Sequence, residues 1–345
     1  MSPTIFTIIL MSLSTGTILT TSSFHWLLAW IGLEINTLAI IPIISTLHNP
    51  RSTEAATKYF LTQAAASAMI LFSSTTNAWQ TGTWDIINSP SMPSHIMLTL
   101  ALAMKLGLTP THFWLPEVLQ GSTMVTALII TTWQKLAPMT LIYLTINNLS
   151  PVILLTMGIL STLVGGWAGL NQTQTRKIMA YSSISHLGWM ASISSILPNL
   201  MILNLFIYLV MTTALFSMLI FSKSKTIQDT TSAWTISPTM ASMMMILFLS
   251  LGGLPPLTGF MPKWLILEEL IFQNLTLVAT LMVVSTLLSL FFYLRLTYTT
   301  TLTLSPNTVQ TKFKWRFKPK LPTPPMLTLS TMSILFLPMT PLILL

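Results

Sequence analysis

The stretch ALAMKLGLTPTHFWLPE, residues 101–117, places a lysine, a Gly/Pro interruption and a histidine inside an otherwise apolar segment. A lysine at the centre of a bilayer costs about 2.5 to 3.5 kcal/mol on insertion scales, so Lys105 is a candidate functional residue with an expected partner. Gly107 and Pro110 interrupt the helical ladder, and non-helical backbone at membrane depth is tolerated only inside protein or beside a wet cavity. The stretch therefore predicts a broken helix that carries a charge, which indicates an ion path.

The composition around this stretch is that of an integral membrane protein. Of 345 residues, 52% are hydrophobic and 6% are charged, whereas about 25% are charged in a typical soluble domain. The chain contains no cysteine, which excludes a disulfide framework, a cysteine-held iron–sulfur cluster or a thiolate metal site within it. Residues 1–21 lack the features of a secretory signal, so we expect them to form a first span that is retained in the mature protein.

Apolar runs of roughly 20 residues, the length that crosses a bilayer as a helix, fill the chain almost end to end. They predict an all-α polytopic membrane protein with about eleven transmembrane helices. The predicted spans are 3–22, 25–45, 57–78, 95–116, 122–146, 150–170, 178–197, 199–221, 239–265, 274–297 and 324–344.

Basic residues alternate between successive connections, as the positive-inside rule requires. Connections after even-numbered spans hold Arg51, Lys58, Arg176, Lys177, Lys223, Lys225, Lys312, Lys314, Arg316, Lys318 and Lys320. Connections after odd-numbered spans hold no Lys or Arg, only Asp85, Glu268 and Glu269. The alternation predicts an N-terminus on the positive side of the membrane, matrix or cytoplasm, and a C-terminus on the opposite side.

The net charge of +8 raises nucleic acid as a partner, above all at TKFKWRFKPK, residues 311–320, where aromatic residues alternate with cations. We favour a loop on the positive side that meets anionic lipid head groups, with Trp315 and Phe317 at the interface. The prediction is therefore an anionic-lipid contact at 312–320 and no nucleic-acid partner.

A second broken segment, LSLGGLPPLTGFMPKW, covers residues 249–264 and carries Lys263. It lies in predicted span 9 and the first break lies in predicted span 4, so five spans separate them. Because five is odd, two such five-helix repeats would be inverted relative to each other. Interrupted helices at corresponding positions of two halves indicate a transporter site near the midplane. The alternative is the ordinary frequency of glycine and proline in membrane helices.

This repeat divides the chain into four predicted parts. The first and second five-helix repeats cover 1–148 and 149–300, a basic loop covers 301–323, and a C-terminal transmembrane helix covers 324–345.

Four ionisable residues fall within predicted spans. Glu34 and Lys135 lie about midway along spans 2 and 5, Lys105 lies within span 4, and Lys263 closes the second break. Such residues mark ion paths and proton relays, and we interpret Glu34 as the modulator of Lys105. The alternatives are snorkelling to an interface for Lys263 and a purely structural ion pair for the other three.

Two histidines have the chemistry of proton relays at neutral pH. His112 follows the first break, and His186 lies among serines in YSSISHLGWM; each is equally explained as a hydrogen-bonded packing residue. The remaining histidines show no ligand spacing, so we predict no metal site. Glu117, near the positive-side end of span 4, is a candidate cap or partner of surface cations.

Three stretches together, KLGLTPTHFWLPE, RKIMAYSSISHLGWM and LSLGGLPPLTGFMPKW, resemble the antiporter-like membrane subunits of respiratory complex I. The resemblance covers nearly the whole chain, with the motifs in the family's order. It implies two inverted five-helix bundles, each with a broken helix, that translocate protons in the mitochondrial inner membrane. It also implies a hetero-oligomer with other membrane-arm subunits, including neighbouring antiporter-like chains, with the N-terminus in the matrix and the C-terminus in the intermembrane space.

The resemblance carries the family's relay positions onto Glu34, Lys105, Lys135, Lys263, His112 and His186. Two departures accompany it. The chain starts without the three extra N-terminal helices of bacterial relatives, and Thr111 replaces the aromatic residue often found before the histidine. The first departure would leave both bundles intact but remove a wall that other subunits then have to cover.

Three functions remain to be compared. The first is a subunit of proton-translocating NADH:ubiquinone reductase, without a redox centre or cofactor of its own and driven by quinone chemistry in neighbouring chains. The second is a stand-alone cation/proton antiporter, and the third is a structural spacer in which the ion pairs only fix packing. A seven-helix receptor is disfavoured by the number of spans.

Overall fold

The structure is a computed structural model that describes residues 3–86, 92–302, 328, 330–334 and 337–339. Its α-helices are α1 Pro3–Ser22, α2 Trp26–Ile44, α3 Pro50–Thr81, α4 Met92–Leu106, α5 Trp114–Gly121, α6 Met124–Thr131, α7 Trp133–Leu144, α8 Pro151–Gly169, α9 Thr175–Ser194, α10 Pro198–Ser222, α11 Ile227–Thr231, α12 Ala233–Ile236, α13 Pro238–Gly252, α14 Phe260–Phe272 and α15 Thr276–Leu302. Within the described residues, six helical segments are long and apolar enough to cross a membrane, and shorter apolar helices accompany them.

The predicted all-α polytopic fold is confirmed, because each of the first ten predicted spans coincides with one helix or with two consecutive helices. Predicted spans 4 and 9 are the discontinuous ones, as expected: α4 and α5 share the first, and α13 and α14 share the second. The basic loop 301–323 and the eleventh span, 324–344, lie mostly outside the described residues.

Several predicted connections are wrong, because charged residues that were assigned to loops lie on helices. Arg51 and Lys58 belong to α3, which begins at Pro50, and Arg176 and Lys177 belong to the first turn of α9. The amide of Asn49 donates to the Ser52 hydroxyl at 3.1 Å, and proline suits the first helical position, so helix formation starts ahead of the charges.

The acidic pair Glu268 and Glu269 is a further correction, since both lie on α14 rather than in the connection after it. Helix α14 continues to Phe272, and Asn274 then adopts a left-handed backbone with φ 60°. Asparagine is one of the few non-glycine residues that tolerate this conformation. The chain therefore turns at Asn274, several residues beyond the predicted end of the span.

Predicted span 5 is interrupted, whereas its apolar run predicts one continuous helix. Helix α6 ends at Thr131 and α7 begins at Trp133. The Thr131 hydroxyl donates to the Ala127 carbonyl at 2.9 Å, and the Thr132 hydroxyl donates to the Leu128 carbonyl at 2.7 Å. Threonine hydroxyls that bond back to the preceding turn bend helices, which accounts for the interruption.

The chain divides into two compact units. Unit 1 comprises 1–165 and 183–201, in which α1 packs on α2 while α2, α4 and α5 pack on α3. A Cβ added at Gly16 would lie 2.5 Å from Asn36 Oδ1, and one at Gly32 would lie 2.8 Å from the Gly16 carbonyl. Small residues of this kind let membrane helices approach closely.

Unit 2 comprises 166–182 and the chain from residue 202 onward. In it, α13 and α14 pack on α15. The end of α8 also meets α15: a Cβ at Gly169 would lie 2.9 Å from the Phe292 ring, and Arg295 Nη1 donates to the Leu170 carbonyl at 2.9 Å. A cation is thereby bound at the negative end of a helix.

Candidate proton-transfer site

The end of α4 supplies a carbonyl that binds a buried lysine. A helix leaves its last carbonyls without intrahelical partners, and α4 stops at Leu106, where Gly107 adopts a φ of 78°. Lys135 Nζ, on α7, donates to the Leu106 carbonyl at 2.5 Å. The lysine is 1% exposed, and its Nζ lies 5.5 Å from the centre of the Trp114 ring. The break, the helix dipole and the ring face thus stabilise one cation together.

Lys105 lies one residue before this carbonyl but makes no such bond. Its side chain is 4% exposed, and among the described residues its Nζ has no hydrogen-bond partner. Glu34, half-buried on α2, interacts with it electrostatically, and Glu34 Oε2 is itself buried without a hydrogen-bond partner. An ammonium and a carboxylate are therefore held within each other's field, each with unused hydrogen-bonding capacity.

A small cavity joins the two buried lysines of unit 1. Its polar lining consists of Asn36, Thr37, Tyr59, Gln63, Lys105, Gln134 and Lys135. Tyr59 donates to Gln134 Oε1 at 3.4 Å, whereas Gln63 Nε2 is buried without a hydrogen-bond partner in the described residues. The room is about that of one water molecule. The arrangement offers a single water several donors and acceptors between the amino groups of two lysines.

The uncharged members of this lining were not identified from the sequence. Asn36, Tyr59, Gln63 and Gln134 are all polar residues in predicted spans, and Tyr59 and Gln63 are one helical turn apart on α3. That spacing was a usable signal, because polar residues inside spans face the protein interior rather than lipid.

The two histidines are buried but do not line this cavity. His112, 5% exposed, lies in the turn between α4 and α5 with its ring centre 4.3 Å from that of Phe113. Its Nδ1 has no hydrogen-bond partner in the described part of the chain. His186, also 5% exposed, lies on α9 within the part of that helix that belongs to unit 1.

Lys263 belongs to unit 2 and is half-buried on α14. Its Nζ donates to the Gly252 carbonyl, the last of α13, at 2.9 Å. Glu117 instead forms a surface ion pair: Glu117 Oε2 lies 2.6 Å from Lys58 Nζ, and these side chains are 51% and 41% exposed. The same lysine reaches Glu54 at 2.5 Å. Within the described residues, no group of three or more potential ligands could hold a metal ion.

A buried lysine beside a carboxylate at a helix break is typical of ion-translocating membrane proteins. The chain belongs to that class through the family NADH:quinone oxidoreductase/Mrp antiporter, TM, whose model matches residues 23–289. Residues 290–344 match the family NADH dehydrogenase subunit 2 C-terminus. The family expected from the three motifs is thereby confirmed.

Individual relatives agree with this assignment. The chain is 55% identical over 341 residues to NADH-ubiquinone oxidoreductase chain 2 of Polypterus ornatipinnis, covering 99% of this chain and 98% of that protein. It is 56% identical over 343 residues to the protein of the same name from Salmo salar, with 99% and 98% covered. A chain of respiratory complex I from Thermus thermophilus with bound aureothin matches 97% of this chain and 79% of its own, with 26% identity and a TM-score of 0.83.

Proposed function

We propose that this chain is a membrane-arm subunit of NADH:ubiquinone oxidoreductase that translocates protons across the mitochondrial inner membrane. The observation that carries the proposal is Lys105, a buried lysine without a hydrogen-bond partner among the described residues, in the field of Glu34. The relatives named NADH-ubiquinone oxidoreductase chain 2 support the same function. Electrons pass from NADH to quinone in other subunits, and this chain holds no cofactor.

Lys105 is the switch of the proposed mechanism and Glu34 its modulator. When Glu34 moves away, the Lys105 ammonium loses its stabilising charge and gives one proton to a water in the cavity, which leaves a neutral amine. Two unit charges 4 Å apart interact by about 4 kcal/mol at an effective dielectric constant of 20. Moving one charge through 100 mV requires about 2.3 kcal/mol, and a carboxylate that retreats from about 4 Å to about 9 Å changes the interaction by a similar amount.

The other candidate residues extend this relay. Lys135 first releases its own proton toward the next group of the relay, and its neutral amine then accepts the proton from the cavity water while one N–H still donates to the Leu106 carbonyl. His112 and His186 connect the relay to further groups, and Lys263 is the exit-side group of the second repeat. The proposed repeats are 1–148 and 149–300 with inverted topology, supported by breaks five spans apart.

The proposed surroundings follow from the same relatives and from the loop charges. The N-terminus lies in the matrix and the C-terminus in the intermembrane space. Other membrane-arm subunits, including antiporter-like chains, are the protein partners, and anionic lipid binds the basic residues 312–320. No nucleic-acid partner is proposed.

The test replaces Lys105 by methionine in the assembled complex, reconstituted in sealed vesicles. We expect fewer protons pumped per electron, because methionine has similar length but no titratable group. The control is Lys58→Met, which removes an exposed lysine that does not line the cavity and should leave the ratio unchanged. An unchanged ratio in Lys105→Met would support the structural-spacer function instead.

A further inference from the structure

A second polar cavity lies in unit 1, at the other end of α3 from Lys58. It is lined by Trp26, Ser73, Ser74, Asn77, Ser94 and His95, together with Leu98. All but His95 are less than 5% exposed, and His95 is half-buried at its edge. The cavity has room for about one water molecule. No step of the proposed relay uses any of these side chains.

Trp26 gives this cavity a specific need for water. The indole is 2% exposed, and its Nε1 has no hydrogen-bond partner among the described residues. An unsatisfied buried donor costs about 1 to 3 kcal/mol. The nearby hydroxyls of Ser73 and Ser74 donate to their own helix, to the Ile70 and Leu71 carbonyls at 2.8 Å, and so keep acceptor lone pairs for a bridging water.

One face of α3 connects this cavity to the cavity around Lys105. Tyr59, Gln63, Ser67, Ser74 and Asn77 recur at spacings of three, four and seven residues and are all buried, so they share one face of the helix. Gln63 lines the cavity at Lys105, and Ser74 and Asn77 line the second cavity. Polar side chains on this face therefore extend from each cavity toward the other within unit 1.

The connection is interrupted at Ile70, which is completely buried on the same face. From Ser67 to Ser73 the helix rises about 9 Å, at 1.5 Å per residue, without a polar side chain on this face. That length corresponds to about one and a half turns of dry packing. In the described conformation, the polar side chains of α3 on one side of Ile70 are thus separated from those on the other.

The two ends of α3 also approach opposite membrane surfaces. Lys58 and Asn77 are 19 residues apart, which is about 29 Å along a helix, and the hydrocarbon core of a bilayer is about 30 Å thick. Basic residues gather at the Lys58 end, whereas the second cavity is at the end where α2 and α4 begin.

We propose that the cavity of Trp26, Ser74, Asn77 and His95 is a water-filled access site for protons, separated from Lys105 by the dry section at Ile70. It gives the Lys105 centre a route to the membrane surface opposite Lys58. The proposal rests on the proposed function for its role in pumping. The hydration of the cavity is a separate claim that can be measured without pumping.

The test uses single cysteines in the assembled complex in sealed vesicles, because the chain has no cysteine of its own. Ser74→Cys and Asn77→Cys are exposed to Ag⁺, a membrane-impermeant thiol-reactive ion small enough for a site that holds one water, added to one side or the other in chloride-free buffer. Thiols that remain free are alkylated after denaturation, and the modification of this chain is read by mass spectrometry. Ser74→Cys changes only an oxygen to a sulfur, so the test survives misfolding of the Asn77 variant. Ile70→Cys is the matched dry control, and Lys58→Cys marks the opposite side.

We expect Ser74→Cys to react from the side opposite to Lys58→Cys, and about tenfold or more faster than Ile70→Cys, because the reactive thiolate forms in water and is suppressed in apolar surroundings. Reaction no faster than that of Ile70→Cys, or from the Lys58 side, would overturn the proposal. Leu61→Cys, on the outer face of α3 at 66% exposure, should resist the impermeant reagent because lipid covers it.

A second measurement tests the role in pumping. Full modification of Ser74→Cys should lower the number of protons pumped per electron, and an unchanged ratio would overturn the access role. If Ser74→Cys reacts as expected while Lys105→Met pumps normally, the proposed function is wrong and the hydration of the second cavity still holds. If Lys105→Met fails to pump while Ser74→Cys stays unreactive, only the access site is wrong.

Discussion

At both helix breaks a lysine binds the carbonyl that the break leaves without a helical partner, but the two lysines come from different places in the chain. At each break a glycine adopts a left-handed backbone, with φ 78° at Gly107 and 83° at Gly253. The carbonyl just before each glycine would otherwise be unpaired inside the membrane. Lys135 binds the first of these carbonyls at 2.5 Å, and Lys263 binds the second at 2.9 Å. In both units a lysine N–H therefore satisfies the carbonyl at which the helix breaks.

The origin of the lysine distinguishes the breaks. Lys135 comes from α7, a helix remote from the first break in sequence, whereas Lys263 comes from α14, the helix that directly follows the second. The first break also has Lys105, whose Nζ binds no carbonyl. One lysine therefore binds the broken helix end in each unit, and unit 1 has an additional lysine, Lys105, that is not used in this way.

Residues at matching positions after the two glycines differ in charge or in size. Ten residues after the glycine stands Glu117 in the first break and Lys263 in the second; six residues after it stand Phe113 and Gly259. Phe113 is 69% exposed, whereas a Cβ at Gly259 would lie 1.8 Å from the Ser250 carbonyl oxygen. The second break is therefore folded tightly onto its own helix, and the first is more open.

The largest expected effect tests this difference in packing. Gly259→Ala forces a methyl group into the Ser250 carbonyl, and backbone on both sides has to move, so we expect a loss of about 4 kcal/mol or more. Phe113→Ala, at the matching position, removes an exposed ring and should cost less than about 1 kcal/mol. The thermal unfolding midpoint and yield of the assembled complex measure both. Equal effects would contradict the difference between the breaks.

Much of this fold was predictable because it depends on local sequence. Apolar runs of about 20 residues define the spans, and Gly107 and Gly253 stand where backbone must leave the helix. Helix ends were less predictable: α3 and α14 extend through Arg51 and Glu269, because residues at a membrane surface can be charged and still helical. Hydropathy measures where the hydrocarbon ends rather than where the helix ends.

The candidate site was predictable in its residue types but not in its contacts. Glu34, Lys105 and Lys135 attract attention because charge inside an apolar run is costly. Which lysine binds the Leu106 carbonyl depends on how α4 meets α7, and the two residues of that bond are 29 positions apart. The pattern of a single sequence does not show how two separate helices align with each other. The neutral cavity residues, such as Gln63, could not be predicted from the sequence for the same reason.

A smaller effect separates the lysines at the two breaks. Gly107→Ala and Gly253→Ala both place an alanine in a left-handed conformation, which costs about 1 to 2 kcal/mol. At Gly253 the new Cβ would also lie 2.8 Å from Lys263 Nζ, whereas at Gly107 its nearest neighbour is Leu115 Cδ1 at 3.4 Å. We therefore expect Gly253→Ala to lose the Lys263 hydrogen bond as well, worth about 0.5 to 1.5 kcal/mol.

The unfolding midpoints of these two alanine variants provide the measurement. The additional loss in Gly253→Ala should disappear when Lys263 is already replaced, in Gly253→Ala with Lys263→Met, because the methyl group then has no bond to displace. If the two glycine substitutions destabilise equally, Lys263 is not anchored by the carbonyl before Gly253 in the way that Lys135 is anchored by Leu106.

The smallest expected effect concerns Glu117, which occupies the position of Lys263 in the first break. Glu117→Gln removes one partner of Lys58, but both side chains are about half exposed and Lys58 keeps Glu54 at 2.5 Å. Exposed ion pairs contribute about 0 to 1 kcal/mol, so the unfolding midpoint and the pumping ratio should change little. Lys263→Met is the contrast, since it removes the donor that the Gly252 carbonyl uses. A larger loss in Glu117→Gln than in Lys263→Met would mean that the surface ion pair matters more to the first break than the Lys263 hydrogen bond matters to the second.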